Sequence, residues 1–205
     1  MEKFIINHWM NIIIKYKNYS EDKLEIIKYG LTGVYLTLSK IIIILLISMI
    51  LGNIKDVIIF MIVFNIIRTP SFGIHATKSW ICLLSSSIIF LGIPILCRII
   101  SINIILKIIL GSILTLLILK NSPADTKKRP IISKKRRLIF KIISTLISTI
   151  YVLLSIYVKS IFISNCFLWA IVLQNILISP ITYKAFKQPY NNYKQFLKLH
   201  PNFLK

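Results

Sequence analysis

His75 and Cys82 stand seven residues apart in the stretch Arg68-Thr-Pro-Ser-Phe-Gly-Ile-His-Ala-Thr-Lys-Ser-Trp-Ile-Cys82. An imidazole and a thiol are the smallest set from which a thiolate nucleophile is made. The ring takes the thiol proton and later protonates a leaving amine. Seven residues of straight helix would place the two on nearly one face but about 10 Å apart along the axis, too far for a hydrogen bond. They meet only if His75 lies on a loop that folds back over the start of the helix carrying Cys82. Pro70 and Gly73, a helix breaker and a turn former, permit such a loop. The same residues also fit a non-catalytic scaffold or transporter component, with Cys82 as a small apolar packing residue and His75 as a solvated loop residue.

A second polar island, Lys120-Asn-Ser-Pro-Ala-Asp-Thr-Lys-Lys-Arg-Pro-Ile131, precedes Lys134, Lys135, Arg136 and Arg137. Ser122-Pro123 and Arg129-Pro130 mark turns within it. Asp125 is the one acidic residue among these cations. It either orients the His75 imidazole, completing a triad, or caps a turn, which is the commoner use. The basic run orients the chain in a bilayer, and it offers a surface for anionic lipid or an acidic peptide tail. Cys97 and Cys166 have no histidine near them in sequence and read as packing residues. An odd cysteine count without CxxC or a His/Cys cluster gives neither a disulfide framework nor a metal site, and no cofactor is expected.

The elements that must position these groups are helices in lipid. Of 205 residues 56% are hydrophobic, more than the surface of a soluble domain of this size accommodates. There are 26 Lys and Arg against 6 Asp and Glu. Because the cations interrupt apolar runs and form no aromatic-laced soluble face, they point to anionic headgroups rather than nucleic acid. Six spans are expected, at 31–51, 54–67, 80–97, 99–119, 138–158 and 160–183, the second being short for a crossing. With the N-terminus in the cytoplasm, the inner segments 1–30, 68–79, 120–141 and 184–205 hold 5, 2, 9 and 5 basic residues. The outer turns hold Lys55, Arg98 and Lys159, so both termini and both polar islands are expected on the cytoplasmic side.

The fold class expected is therefore an all-α integral membrane protein with about six transmembrane helices, read as a single domain over 1–205. Within it, residues 1–19 hold an amphipathic interfacial helix, 20–183 the bundle and 184–205 a cytoplasmic tail. Lys3, Asn7, Asn11 and Lys15 recur every fourth residue in the first segment, which is no secretory signal. Ser20, Glu21 and Asp22 read as a helix cap followed by first-turn acids. Lys40, Asn65, Asn103, Lys107, Gln174 and Asn175 are polar inside apolar spans and so are candidates for function.

At its two islands the chain resembles the accessory gene regulator B (AgrB) family, the membrane peptidases of Gram-positive quorum sensing. The matching residues are Gly73-x-His75-Ala76 with Cys82, and Ser122-Pro123-Ala124-Asp125-Thr126 through Arg129-Pro130-Ile131. Where the family usually shows a pair of glycines, Phe72 precedes Gly73 here. The resemblance implies that Cys82 attacks a peptide bond near the C-terminus of a short amphipathic propeptide, with His75 as base and then acid. A thioester acyl-enzyme and a released acidic tail would result, and a propeptide side chain would close a ring on the thioester. Orienting or substrate-binding roles are expected for Arg68, Gly73, Asp125, Lys134, Lys135, Arg136 and Arg137 from their charge or their place on one membrane face, and the resemblance further implies a homodimer and a place in the bacterial cytoplasmic membrane.

Overall fold

The structure is a computed structural model that describes residues 2–16, 19–74, 79–127 and 129–199. Among these residues it is all helical, with no strand: α1 (Glu2–Tyr16), α2 (Glu21–Ile50), α3 (Ile54–Ser71), α4 (Ser79–Ile99), α5 (Ile104–Asn121), α6 (Lys134–Tyr157), α7 (Ile161–Ile178), α8 (Pro180–Ala185) and α9 (Asn192–Leu199). Five of them, α2, α4, α5, α6 and α7, are long and apolar enough to cross a membrane, which makes this a multi-pass membrane protein. The other expected span, α3, has 18 residues but carries Lys55, Asp56 and Arg68, and it is not among the five.

The chain forms two compact units, 1–52 and 53–205. In the first, α1 packs on α2. The buried residues of α1 are Ile6 and Met10, one turn apart, while Phe4, Trp9 and Tyr16 stay exposed. Ser20 has the extended conformation of an N-cap residue, yet its side chain makes no capping bond.

The second unit is built around α7, which packs against α3, α4, α5 and α6. Its apolar window is 61% buried, against 11–28% for the other candidate spans. From Ser160 to Tyr183 there is no charged residue. Between helices in lipid the hydrophobic effect offers little, so side-chain hydrogen bonds and close packing hold the bundle. The polar residues of α7 serve this purpose one neighbour at a time. Asn165 donates to the carbonyls of Cys97 (2.9 Å) and Ile100 (2.6 Å) at the end of α4. Asn175 donates to Leu114 of α5 (3.1 Å), and Gln174 to Phe72 after α3 (2.9 Å). Ser164 receives the Lys107 ammonium of α5 (2.6 Å) and donates to the Ser155 carbonyl of α6. Lys107, Gln174 and Asn175 thus act as inter-helix ties, Asn103 caps α5 at the Ile105 N–H (3.0 Å), and Asn65 bonds back to Met61 within α3. Cys97 and Cys166 are fully buried in the shared core.

At the end of the bundle away from the polar islands, Asp56 and Arg98 form a two-pronged ion pair, one prong at 2.7 Å, and Arg98 also lies over the Phe162 ring.

Two sequence expectations are corrected here. Helix α3 passes through Pro70 to Ser71 rather than breaking at the proline. Placed in the last turn, Pro70 forfeits a single N–H, and Phe72 N–H still reaches the Arg68 carbonyl (3.0 Å). The last span does not run to 183. It stops at Ile178, and Pro180 opens a separate short helix with the Ser179 hydroxyl accepting from Ile181 N–H (3.2 Å).

Candidate functional site

Backbone geometry at the end of α3 sets up the site. Phe72 has φ 57° and ψ −138°, and Gly73 has φ 117°, so two consecutive residues leave the conformations natural to a side-chain-bearing residue. Only Gly73 suits that region without strain. A β-carbon placed on it would lie 2.7 Å from the Leu177 carbonyl oxygen and against the Arg68 guanidinium. The turn exposes the carbonyls of residues 72 to 74, and Arg68, one turn back on α3, collects all three. It donates to Phe72, to Gly73 (3.3 Å) and to Ile74 (2.8 Å).

The two islands of the sequence are physically joined. Gly73 N–H donates to the Ala124 carbonyl (2.8 Å) and Ala124 N–H donates to the Ser71 carbonyl (3.1 Å), a one-residue parallel bridge between Phe72 and Ala124. The C-terminal end of α7 closes the third side, with Ile74 N–H on Leu177 (2.9 Å) and Gln174 on Phe72. Tyr183 of α8, fully buried, donates to the carbonyls of Ala124 (3.1 Å) and Asp125 (3.0 Å). Burial pushes its hydroxyl further above the ordinary tyrosine range, so it stays protonated and remains a donor.

Cys82 lies on the first described turn of α4, half-buried, outside any disulfide, and within electrostatic reach of the Arg68 guanidinium. His75 falls in 75–78, outside the described residues.

Asp125 is buried, and its carboxylate accepts from the N–H groups of Asn192 (2.9 Å), Tyr193 (2.8 Å) and Ile131 (3.3 Å). It therefore caps α9 from outside that helix, where a carboxylate faces the unpaired N–H groups of the first turn. Asn192 returns a bond from its amide to the Asp125 carbonyl (3.2 Å). Arg137 stacks its guanidinium 3.5 Å from the Tyr193 ring centre and reaches the Ile131 carbonyl (3.4 Å). Lys134 and Arg136 line a cavity of about 840 Å³ together with Phe72, Phe140 and Leu197. Lys135 is exposed and is not among its lining residues.

Arg68, Gly73 and Asp125 thus belong to one hydrogen-bonded assembly, with Cys82 beside it and the basic run around its margin. Sequence reasoning missed Tyr183, Leu177 and the α9 residues Asn192, Tyr193 and Leu197. The usable signal was Pro180 directly after Ser179, which ends the apolar helix and leaves Tyr183 outside it.

A multi-pass helical membrane protein whose two polar loops are tied into one site is the class defined by these observations. The family described as Accessory gene regulator B matches residues 6–178, and this chain belongs to it. Similar proteins include one described as AgrB-like from Clostridium acetobutylicum, 28% identical over 83% of this chain and 81% of its own. Another AgrB-like protein, from Listeria monocytogenes, is 31% identical over 89% of both chains. Protein FsrB of Enterococcus faecalis is 29% identical over 76% of this chain and 64% of its own. No solved structure matches.

Arg68→Lys is expected to lower the Tm of the detergent-solubilised chain. One ammonium cannot replace a planar fork that holds three carbonyls. Thermal unfolding in detergent checks this, and a Tm unchanged from wild type would show that the fork is dispensable.

Proposed function

We propose that this chain is a membrane-embedded cysteine endopeptidase that cleaves the C-terminal part of a quorum-sensing propeptide and promotes ring closure to a cyclic peptide. The observation that carries the reading is the joining of the two motif loops through Gly73 and Ala124, braced by Arg68 at the Gly73 and Ile74 carbonyls. His75 takes the Cys82 proton, and the thiolate adds to the scissile carbonyl. The C–N bond then breaks, the leaving amine takes the proton from the imidazolium, and a thioester to Cys82 remains. A propeptide thiol or hydroxyl attacks this thioester, closing the ring and returning the Cys82 thiolate, while its own proton passes to His75. Thioester exchange keeps the acyl group activated where water would hydrolyse it, so a partly dry site favours cyclisation.

In this reading α3 also crosses the bilayer, giving six spans, with both termini and the site on the cytoplasmic side of a bacterial membrane. The cation-rich segments support that orientation. The exposed Phe4, Trp9 and Tyr16 of α1 support a helix lying in the interface of an anionic bilayer. The propeptide carries an acidic tail that meets Arg129, Lys134 and Arg136, and the enzyme works as a homodimer.

The test is capture of the acyl-enzyme. Purified full-length chain in lipid nanodiscs is mixed with a synthetic propeptide, quenched in acid and mapped by mass spectrometry. A hydroxylamine-labile adduct on Cys82 is expected. No adduct, or the same adduct in Cys82→Ser, would overturn the reading.

A further inference from the structure

The cavity beside the site has a composition that the cleavage chemistry does not require. Its apolar walls are Phe72, Ile131, Ile132, Ile139, Phe140 and Leu197, and Arg129, Lys134 and Arg136 also line it. Among the described residues that line it, none is acidic. At about 840 Å³ it lies within the range of about 300–1,000 Å³ typical of ligand pockets.

Phe72 is the informative residue. At φ 57° and ψ −138° it occupies a region that costs any residue with a β-carbon, and it persists there because its surroundings hold it. Its carbonyl takes Arg68 and Gln174, its N–H bonds back to α3, and its ring meets the Phe140 ring edge-on at 5.2 Å. Glycine would satisfy every one of those backbone bonds without strain. What the phenyl ring adds is a wall of the cavity. Leu197 also lines the cavity and comes from α9, a helix whose first turn is held by Asp125.

We propose that Phe72 and Leu197 are specificity-determining residues for the peptide substrate, walling a cleft that receives an apolar side chain flanked by carboxylates. This rests on the peptidase reading above. The apolar side chain packs between the two walls while the carboxylates meet Lys134 and Arg136 at charge-complementary positions. Asp125 is a positioning residue that acts through α9, and it does so by presenting Leu197 to the cleft.

The test uses the full-length chain with Cys82→Ala in phosphatidylcholine nanodiscs, so that binding is read without turnover. The probes are two fluorescein-labelled twelve-residue peptides, one with Leu followed by three Glu and one with that Leu replaced by Ala. The Leu peptide is expected to bind about tenfold tighter. Leu197→Ala and Phe72→Gly should each bring that ratio close to one, and Phe72→Gly suits the positive φ, so the fold is retained. Lys134→Gln with Arg136→Gln should weaken both peptides alike and keep the ratio. Asp125→Asn should raise KM for a propeptide ending in that Leu-Glu sequence in the active chain and leave the pH profile of kcat in place; a change confined to kcat would overturn its positioning role. Equal binding of the two peptides by the chain with intact walls, or a ratio untouched by Leu197→Ala, would overturn the cleft. Displacement of both peptides by nanodiscs containing phosphatidylglycerol would make it a lipid headgroup site and also overturn it. The Cys82 adduct, measured in parallel on the active chain, separates the two readings. An adduct without peptide selectivity removes the cleft alone, and selectivity without an adduct removes the peptidase alone.

Discussion

Cys82→Ser and His75→Ala are each expected to abolish propeptide processing, by a thousandfold or more, at unchanged membrane abundance. The serine hydroxyl is a far weaker nucleophile near neutral pH than a thiolate. Cys82 is half-buried and outside the shared core, so removing its sulfur leaves the bundle packed. Co-expression of each variant with a propeptide, followed by mass spectrometry of the products, checks the result. Full-length propeptide with both variants, against cleaved propeptide with wild type, is the expected pattern. Equal cleavage in all three would move the chain to a scaffold or transporter component in which the two residues only fill space.

Gly73→Ala is expected to be nearly as damaging for a structural reason. At φ 117° a β-carbon costs about 1–3 kcal/mol in backbone strain, before its clash with the Leu177 carbonyl at 2.7 Å is counted. That carbonyl is the acceptor for Ile74 N–H, and Gly73 N–H is half of the bridge to Ala124. The backbone cannot shift away from one contact without loosening the other. A loss of activity of a hundredfold or more is expected, together with a lowered Tm in detergent. Gly73→Ala with wild-type activity would show that the joint between the loops is not needed for the reaction.

How much of this was legible in the sequence depends on whether the signal was local. Apolar runs and their charged borders marked the existence of five of the helices, because lipid demands length and apolarity from each span separately, but α2 starts at Glu21 rather than 31 and α7 stops at Ile178 rather than 183. Gly73 was legible as a turn residue, and its φ 117° is what such a residue permits. Asp125 was legible as a cap or an orienting group, but not what it caps. The N–H groups of Asn192 and Tyr193 lie nearly seventy residues away in sequence, and no period or motif connects them to it. Gln174 and Asn175 stood out as amides in an apolar helix, yet their acceptors are carbonyls, which every residue has. Pro70 misled because a proline in the last turn of a helix looks, in sequence, like a proline that ends it one turn earlier.

The grip of α7 on its neighbours has a consequence for how freely this protein can change. Asn165, Gln174 and Asn175 all donate to main-chain oxygens, on Cys97 and Ile100, on Phe72 and on Leu114. The acceptor survives any replacement of the side chain attached to it. The lipid-facing surfaces of α4 and α5 can therefore drift in sequence, exchanging one apolar residue for another, without releasing the helix that holds them. Much of the hold of α7 on α4, α5 and the turn after α3 therefore rests on a few amides, and a single Asn→Leu or Gln→Leu step there costs more than many apolar exchanges elsewhere.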